Sequence, residues 1–335
     1  MKPTDFAVQL TRFLSEHLSG QRNLSPNTIL SYRDTFTLLI SYIQSEHGTR
    51  PEKITLHSIN PAIINGFLHW LENERKSAIA TRNQRLAAIH SFFQYVQTER
   101  PDMLLDCQMI LAIKMKKKPK KIVEHISENE LKKILASPNT LTSKGRRDLT
   151  LMCVLYDTGA RVQELADLKV GDVRLDNQPI VCLKGKGGKL RHVPILKQTT
   201  SLLESYLKEH NFVATNTHSH PLFYNSQGSK LTRSGVAYIL RKYTQASLGS
   251  PHSNITPHVF RHTKAMHLLQ SNVNLIHIRD FLGHTDITTT EVYARADAEM
   301  KRKAFADIEK NPVPTGLPAW HKDDGLMGWL KNLGK

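Results

Sequence analysis

The sequence lacks several features that would place the protein in common classes. No apolar run approaches the roughly 20 residues that span a bilayer, and the opening segment MKPTDFAVQL has no apolar core of the signal-peptide kind. The three cysteines, Cys107, Cys153 and Cys182, are odd in number, far apart and set among apolar residues. We therefore expect buried free thiols and a cytoplasmic location, with no membrane association.

Signatures of metal and nucleotide chemistry are also missing. The sequence contains no CxxC or HExxH pattern, no Walker loop and no acidic metal-binding cluster. His218 and His220 are close together but have no second pair of ligands, so a polar loop explains them better than a metal site. We expect no metal and no cofactor.

Acidic residues are scarce relative to basic ones. The 335 residues include 46 Lys and Arg against 30 Asp and Glu, a formal net charge of +16. Such an excess favours binding to DNA or RNA, and less so to an acidic membrane surface. A charge that only keeps the protein soluble is the alternative.

Residues 1–106 have the pattern of a small helical domain. Apolar residues recur at helical spacing in four segments, and Ser25-Pro26 supplies an N-cap and a first helical residue for the second of them. Four amphipathic helices with short connections predict a compact bundle. Arg82 and Arg85 lie off the apolar stripe of the fourth helix. They either face solvent or contact DNA.

A lysine-rich segment follows, and we assign residues 107–126 to an extended basic linker. The stretch KMKKKPKK places six lysines beside a proline in eight residues, and like charges repel one another. A plain tether needs no such charge, so phosphate binding is the better interpretation. The lysines concerned are Lys114, Lys116, Lys117, Lys118, Lys120 and Lys121.

Residues 127–310 are predicted to form a second domain. It opens with a capping box at Ser127–Glu130, and a later helix stops at Gly159. Residues 179–183 and 190–195 alternate as strands on either side of a glycine-rich hairpin. Helical patterns occupy most of the rest. The predicted fold class is therefore mainly α with a small β-sheet, with the helical domain preceding an α+β domain.

Residues 311–335 form a C-terminal tail. NPVPTGLP has too many prolines for a helix, and a short amphipathic piece with Trp329 and Leu330 follows it. So short a helix is unstable alone in water, so we expect it to dock on a protein surface.

Six residues of the second domain suggest phosphate chemistry. They are Arg161, Lys186, His258, Arg261, His284 and Tyr293. Arginine binds a phosphodiester with its planar fork, histidine and lysine transfer protons, and a tyrosine hydroxyl can act as nucleophile. Each residue alone also has a structural explanation, such as a salt bridge between Arg161 and Glu164 or an exposed turn at Lys186.

Together these segments resemble the tyrosine recombinases, also called the phage-integrase family. The resemblance rests on TGARVQEL, GKGGKLRHVPI, HVFRHTKA and LGHTDITTTEVY. The segments NLSPNTILSYRDTFTLLISYI and ATRNQRLAAIHSFFQYV resemble the helical core-binding domain of that family. The resemblance covers residues from about 5 to 308. No large insertion separates Arg261 from His284, as in the compact Xer or transposon-type members.

The resemblance implies a role for each of the six residues. Tyr293 would attack the scissile phosphorus and form a 3′-phosphotyrosine. Arg161, Arg261 and His284 would bind the phosphate oxygens. Lys186 would protonate the leaving 5′ oxygen, and His258 would accept the tyrosine proton. Glu164 would orient its neighbours.

The resemblance also implies the partners. They are double-stranded DNA carrying an inverted-repeat core site, and three further copies of the chain in a tetramer on two DNA sites, with the tail docking in trans. The protein would then be nucleoid-associated and act in integration or excision, transposition or dimer resolution. The alternatives are a type IB topoisomerase and a DNA-binding regulator without catalysis.

Overall fold

A computed structural model describes residues 2–117, 124–212, 217–249, 255–284, 286–287 and 289–294, together with Gly325 and Gly328. The chain divides into two compact units, Met1–Lys121 and Ile122–Lys335. Within the described ranges, no helix is both long and apolar enough to cross a membrane. The mainly helical fold with a small sheet is confirmed.

The first unit is a helical bundle. Its helices are α1 (Asp5–Arg12), which continues as a π-helix over Phe13–Gln21, α2 (Pro26–His47), α3 (Pro61–Asn73), α4 (Ile79–Glu99) and α5 (Leu104–Leu111). The Ser25 hydroxyl accepts a hydrogen bond from the Thr28 amide, which confirms the predicted start of α2. Gly48 ends α2 with a φ of 63°, a conformation that favours glycine.

Aromatic rings fill the centre of this bundle. Phe13 meets Phe92 with ring centroids 5.3 Å apart, and Phe92 meets Phe36 at 5.1 Å. Both pairs are edge-to-face, the arrangement that ring quadrupoles favour. The three rings are fully buried and join α4 to the N-terminal helices.

The predicted linker begins too early. Residues 104–111 form α5, in which Cys107 and Ile110 are buried in the bundle core. The apolar side chains at 107 and 110 therefore belong to the first unit, and residues 107–111 are not linker. Residues 118–123 lie outside the described part of the chain.

The second unit combines helices with one small antiparallel sheet. Its helices are α6 (Glu128–Ala136), α7 (Ser143–Thr158), α8 (Val162–Ala166), α9 (Lys197–Glu209), α10 (Arg233–Leu248), α11 (Pro257–Gln270) and α12 (Leu275–Leu282). The strands β1 (Val173–Arg174), β2 (Ile180–Lys184) and β3 (Leu190–Pro194) are arranged in that order. The capping box at Ser127 is confirmed. Strand β1 was not predicted, since two residues carry no periodic signal.

Helix α7 holds the candidate site in place. It packs against α9 and α11, and its buried face includes Leu151 and Leu155. Gly159 ends the helix with a φ of 54°, as predicted. The chain therefore turns sharply there, and α8 starts at Val162 with Arg161 as its N-cap.

The cysteines are free thiols among the described residues. Cys107 is fully buried, whereas Cys153 and Cys182 are partly exposed. Burial raises the pKa of Cys153 to about 12, so this thiol stays protonated at neutral pH.

Candidate active site

Arg161 is held at the junction between α7 and α8. Its backbone amide donates to Oε2 of Glu164 and its Nη1 donates to Oε1, both at 2.8 Å. Its Nη2 donates to the carbonyl oxygen of Gly283 at 3.2 Å. The side chain is 38% exposed, so the guanidinium remains open to a ligand.

Arg261 is anchored beside Arg161 by two backbone carbonyls. It lies on α11 and is 1% exposed. Its Nη1 donates to the carbonyl of Gly159, and its Nη2 donates to that of Leu282, both at 2.6 Å. Burial and the nearby charge of Arg161 lower the pKa of Arg261 to about 10, which leaves it cationic at neutral pH. The two arginines therefore bind successive carbonyls at the end of α12.

His284 follows those carbonyls directly. Gly283 ends α12 with a φ of 64°, and Nδ1 of His284 lies 2.9 Å from the Thr290 hydroxyl. Burial and the positive charges of Arg261 and Arg161 lower the pKa of His284 to about 4. The imidazole is therefore neutral near pH 7, and its ring can donate a single hydrogen bond.

Tyr293 lies against the same group of residues. Its ring is 1% exposed and packs in an apolar cluster with Met266, Ile278 and Leu282. The ring is nearly parallel to that of His284, with centroids 6.5 Å apart. Burial raises the pKa of the phenol to about 12, although the charge of Arg261 acts in the other direction.

The phenol oxygen of Tyr293 is 2.7 Å from Nδ1 of His262. The resemblance implied His258 as the proton acceptor, and His262 was not among the predicted site residues. Among the described hydrogen bonds, none joins His258 to Tyr293. His258 lies one turn earlier on α11, with its ring centroid 4.4 Å from that of His262. The sequence carried one signal for His262. It follows His258 by four residues, and residues i and i+4 share a helix face.

Glu164 lies between two arginines. Arg191, on β3, donates from Nη1 to Oε1 at 3.1 Å and from Nη2 to Oε2 at 2.7 Å. Burial acts to raise the pKa of Glu164, but hydrogen bonds from Arg191 and Arg161 outweigh it and lower the pKa. Glu164 is thus an ionised, buried partner of Arg161. Arg191 was not among the residues predicted for the site.

The hairpin that carries Lys186 starts beside this group. The Gly185 amide donates to the Lys189 carbonyl at 2.7 Å, and Gly187 has a φ of 74°. A Cβ at Gly185 would lie 3.5 Å from Oε1 of Glu164. The loop backbone is therefore next to Arg161 and its partner, but the Lys186 side chain lies outside the described part of the structure.

Two family models match this chain. The phage integrase family matches residues 124–300, and its N-terminal SAM-like domain matches residues 10–100. The chain belongs to the phage integrase family. Its members are the tyrosine recombinases, and this chain is a site-specific recombinase of that class.

Curated relatives agree with this family assignment. The tyrosine recombinase XerC of Roseiflexus castenholzii is 36% identical over 311 residues, covering 91% of this chain and 93% of the relative. The tyrosine recombinase XerD of Oceanobacillus iheyensis is 34% identical over 277 residues, covering 82% and 89%. The recombinase is therefore similar along most of its length to Xer proteins.

A solved structure has the same fold. The XerH site-specific recombinase, bound to its difH substrate in a pre-cleavage complex, is 25% identical with a TM-score of 0.65. The match covers 87% of this recombinase and 82% of the XerH chain. Both units of the recombinase therefore have the architecture that the resemblance predicted.

Two residues proposed for DNA contact are not on an exposed face. Arg82 is buried, and its Nε lies 3.4 Å from Oε1 of Glu72. Arg85 is half-buried and donates from Nη1 to the Ser31 carbonyl and the Thr35 hydroxyl. The expectation that both arginines are exposed is wrong. The guanidinium of Arg82 binds α3 and that of Arg85 binds α2 within the bundle. A DNA contact by either stays an untested prediction.

The structure describes only part of the lysine run. Lys114, Lys116 and Lys117 are exposed, whereas Lys118, Lys120 and Lys121 lie outside the described residues. Nζ of Lys116 forms an ion pair with Glu72. The residues that follow Ala294 and the predicted tail also lie outside the description, apart from Gly325 and Gly328.

Proposed function

We propose that the recombinase cleaves and rejoins DNA strands at a specific site through a 3′-phosphotyrosyl intermediate on Tyr293. One observation carries the proposal. Arg261 and Arg161 bind the successive carbonyls of Leu282 and Gly283, immediately beside His284 and close to the ring of Tyr293. Two cationic forks and a phenol are thus held together, in part by contacts between residues more than 100 positions apart in sequence.

The arginines suit a phosphodiester under attack. A guanidinium donates two parallel hydrogen bonds to phosphate oxygens, and two of them oppose the negative charge that grows on the pentavalent phosphorus. Arg261 is already fixed by two carbonyls, so it needs little reorganisation when the phosphate arrives. Arg161 is more exposed and keeps donor capacity for the ligand. His284, held by Thr290, would supply a further donor.

Both bridging oxygens change their protonation during this reaction. The phenol loses a proton as it attacks, and the 5′ oxygen gains one as it leaves. The resemblance assigns the second transfer to Lys186 and the first to His258. Because the phosphotyrosyl ester preserves the energy of the broken bond, rejoining requires no ATP. We propose that neither a metal nor a cofactor takes part.

Double-stranded DNA is the proposed substrate, and the charge of the protein supports it. Besides the lysine run, a cavity of about 400 Å³ in the second unit is lined by Lys144, Arg147 and Lys242. Nη1 of Arg147 is held by the Tyr224 carbonyl, and its Nε donates to the buried Asp148. We propose that this cavity contacts backbone phosphates and adds salt-sensitive affinity without reading sequence.

Site-specific strand exchange requires two DNA sites and four active subunits. We propose a tetramer on two inverted-repeat sites, as the resemblance implies, in a nucleoid-associated cytoplasmic protein. Integration or excision, transposition and dimer resolution are all compatible with this chemistry. Inverted repeats of about a dozen base pairs next to the gene would identify the substrate.

A trapping experiment tests the proposed nucleophile. The full-length protein first selects its site from a pool of random duplexes, and a nicked suicide duplex of that site is then incubated with wild type and with Tyr293→Phe. Wild type should give a protease-sensitive adduct on the 3′ side of the cleaved strand, and the variant should give none. The same adduct from Tyr293→Phe would disprove the assignment.

The same assay separates the two alternatives. A type IB topoisomerase would relax supercoiled plasmids that lack the selected site, whereas the recombinase should act only on plasmids that carry it. A regulator without catalysis would bind the selected site and form no adduct.

A further inference from the structure

The last residue of the predicted linker is bonded to α11 through its backbone. The amide of Ile126 donates to Oγ1 of Thr263 at 3.0 Å, and its carbonyl oxygen lies 3.0 Å from Nε2 of His267. All three residues are buried. Both polar backbone groups of Ile126 are therefore bound by side chains of one helix, four residues apart on the same face.

The imidazole of His267 is held at both ring nitrogens. Its Nδ1 lies 2.8 Å from the hydroxyl of Tyr156 on α7. Burial lowers the pKa of His267, so the ring is neutral near pH 7. Because a carbonyl can only accept, Nε2 carries the ring proton and donates to Ile126, and Nδ1 accepts from Tyr156. The phenol can donate there, since burial raises its pKa to about 12.

A lysine of α11 also contacts Tyr156. Nζ of Lys264 lies 4.7 Å from the centroid of the Tyr156 ring and 3.8 Å from Oδ1 of Asp157 on α7. A cation over the face of an aromatic ring is attracted to it. The side chains of α11 therefore bind two neighbours, the backbone at Ile126 and the end of α7.

The residues proposed to act on the phosphate lie on the other side of α11. A helix turns by about 100° per residue, so His258 and Arg261 share one side of α11. Thr263 and His267 share the roughly opposite side. The contacts agree with this spacing, because Arg261 bonds to the carbonyls at the ends of α7 and α12. One side of α11 is thus fixed to backbone at Ile126, and the other carries the candidate site.

We propose that Thr263 and His267 are positioning residues for DNA cleavage. By bonding α11 to the backbone of Ile126, they fix the rotation of the helix about its own axis. That rotation sets where Arg261 and His258 lie. The proposal rests on the proposed function and adds two residues that act only through others. Its physical basis is that a displacement of about 1 Å at the reacting groups can slow a reaction by about 100-fold.

A role confined to stability is the competing explanation, because both side chains are buried. Two substitutions of His267 separate the roles. In His267→Gln the amide nitrogen takes the position of Nε2 and can still donate to Ile126. In His267→Asn the shorter amide takes the position of Nδ1, so it can bond to Tyr156 but cannot reach Ile126.

Single-turnover cleavage at saturating selected duplex, well below each melting temperature, measures the positioning effect. His267→Asn should be slower than wild type by roughly 10- to 100-fold, with unchanged DNA affinity. His267→Gln should stay within about threefold of wild type, because it keeps the hydrogen bond to Ile126.

Thr263 supplies a second pair of variants, which carries the test should His267→Asn fail to fold. Thr263→Ser keeps the hydroxyl that accepts from the Ile126 amide, whereas Thr263→Val has the same shape as wild type and lacks it. Only the valine variant should slow cleavage.

Tyr206→Phe is the matched control for stability. Tyr206 lies on α9, is buried in the same unit, and donates from its hydroxyl to the carbonyl of Leu222 at 2.8 Å. The substitution therefore also removes a buried hydrogen bond, but one that α11 does not make. It should lower the melting temperature without slowing cleavage at saturating DNA.

Hydrogen exchange followed by mass spectrometry shows whether α11 itself is affected. In His267→Asn, peptides from α11 and from residues 124–131 should exchange faster than in wild type. Peptides from α9 should exchange at the wild-type rate, because the substitution leaves the contacts of that helix intact.

Several results would overturn the proposal. Wild-type cleavage by both His267→Asn and Thr263→Val would confine the two residues to a role in stability. Equal losses in His267→Asn and His267→Gln would show that the bond to Ile126 is not what matters, and so would an equal loss in Tyr206→Phe. An adduct formed by Tyr293→Phe would instead disprove the proposed function, so the two failures are distinguishable.

Discussion

Arg191 binds Glu164 with two hydrogen bonds, 3.1 Å between Nη1 and Oε1 and 2.7 Å between Nη2 and Oε2. The same carboxylate holds the backbone and the guanidinium of Arg161. Arg191 also belongs to β3, the second strand of the hairpin that carries Lys186. One buried carboxylate therefore links that hairpin to Arg161, the arginine that we propose binds phosphate.

Arg191→Lys should slow cleavage by roughly 10- to 100-fold while DNA affinity changes little. Lysine keeps the charge but cannot bond both carboxylate oxygens, and hydrogen bonds to charged groups contribute about 1.5–3 kcal/mol each. Single-turnover cleavage and DNA titration measure the two effects separately. Arg174→Lys, on the exposed end of β1, is the control. Equal rates for Arg191→Lys and wild type would mean that Arg191 only stabilises the fold.

Lys186→Ala should lose leaving-group protonation, at a cost on the order of 10²- to 10⁴-fold in rate. A 5′-bridging phosphorothioate should restore this variant much more than it restores Arg161→Ala, because sulfur leaves without a proton. Lys189→Ala, in the same hairpin, is the matched variant and should need no rescue. If Lys189→Ala is rescued instead, the acid has been assigned to the wrong lysine.

The stability of the second unit should fall as the pH drops from about 6.5 to about 4. The pKa of His262 and that of His284 are lowered to about 4, so in this window the unfolded chain binds protons that the folded chain does not. The unfolding free energy should therefore decrease by at most about 1.4 kcal/mol per pH unit for each histidine. Above pH 6.5 both states are neutral and this contribution is fully present.

Urea denaturation at pH 7, 6 and 5 measures that slope. His262→Asn combined with His284→Asn should flatten it, whereas His192→Asn, at an exposed position on β3, should not. An unchanged slope in the double variant would show that other groups cause the acid sensitivity.

The lysine run should contribute to DNA affinity through phosphate contacts. Changing Lys114, Lys117, Lys118 and Lys120 to Gln should flatten the plot of log affinity against log salt by roughly three to four units, about 0.9 for each lost phosphate contact. Lys116 is left unchanged because its ammonium pairs with Glu72. The control removes the same charge from four exposed lysines of the second unit: Lys132, Lys133, Lys197 and Lys208. If both variants give the wild-type slope, the run is a solvated tether.

The tail should couple subunits. Deleting residues 319–335 should leave binding to a single site nearly intact and abolish the four-subunit synapse and recombination. The physical reason is that the proline spacer gives reach, and a short apolar helix gains stability only when it docks on another surface. Native gel assays with one and two labelled sites separate the two steps. Normal synapsis by the truncated protein would show that the tail docks within its own subunit or not at all.

Local signals in the sequence were enough to locate most helices of this recombinase. The ends of α2, α6 and α7 agree with the structure because a capping side chain or a left-handed glycine acts within one turn. The hairpin strands were found for a similar reason, since alternation and glycine turns are also local. The predicted start of the linker was wrong at α5, because the apolar residues of that helix lie only a few positions before the lysine run.

Only the tertiary structure decided which partners the charged and titratable groups have. Periodicity placed Arg82 on one side of α4 but could not reveal that Glu72, on α3, would draw it into the interior. The histidine that meets Tyr293 depends on how α11 is rotated in its packing, and 31 positions of chain separate the two residues. Arg191 reaches Glu164 across 27 positions through the pairing of β2 and β3. Such contacts depend on packing between elements, which a linear pattern of residue types does not record.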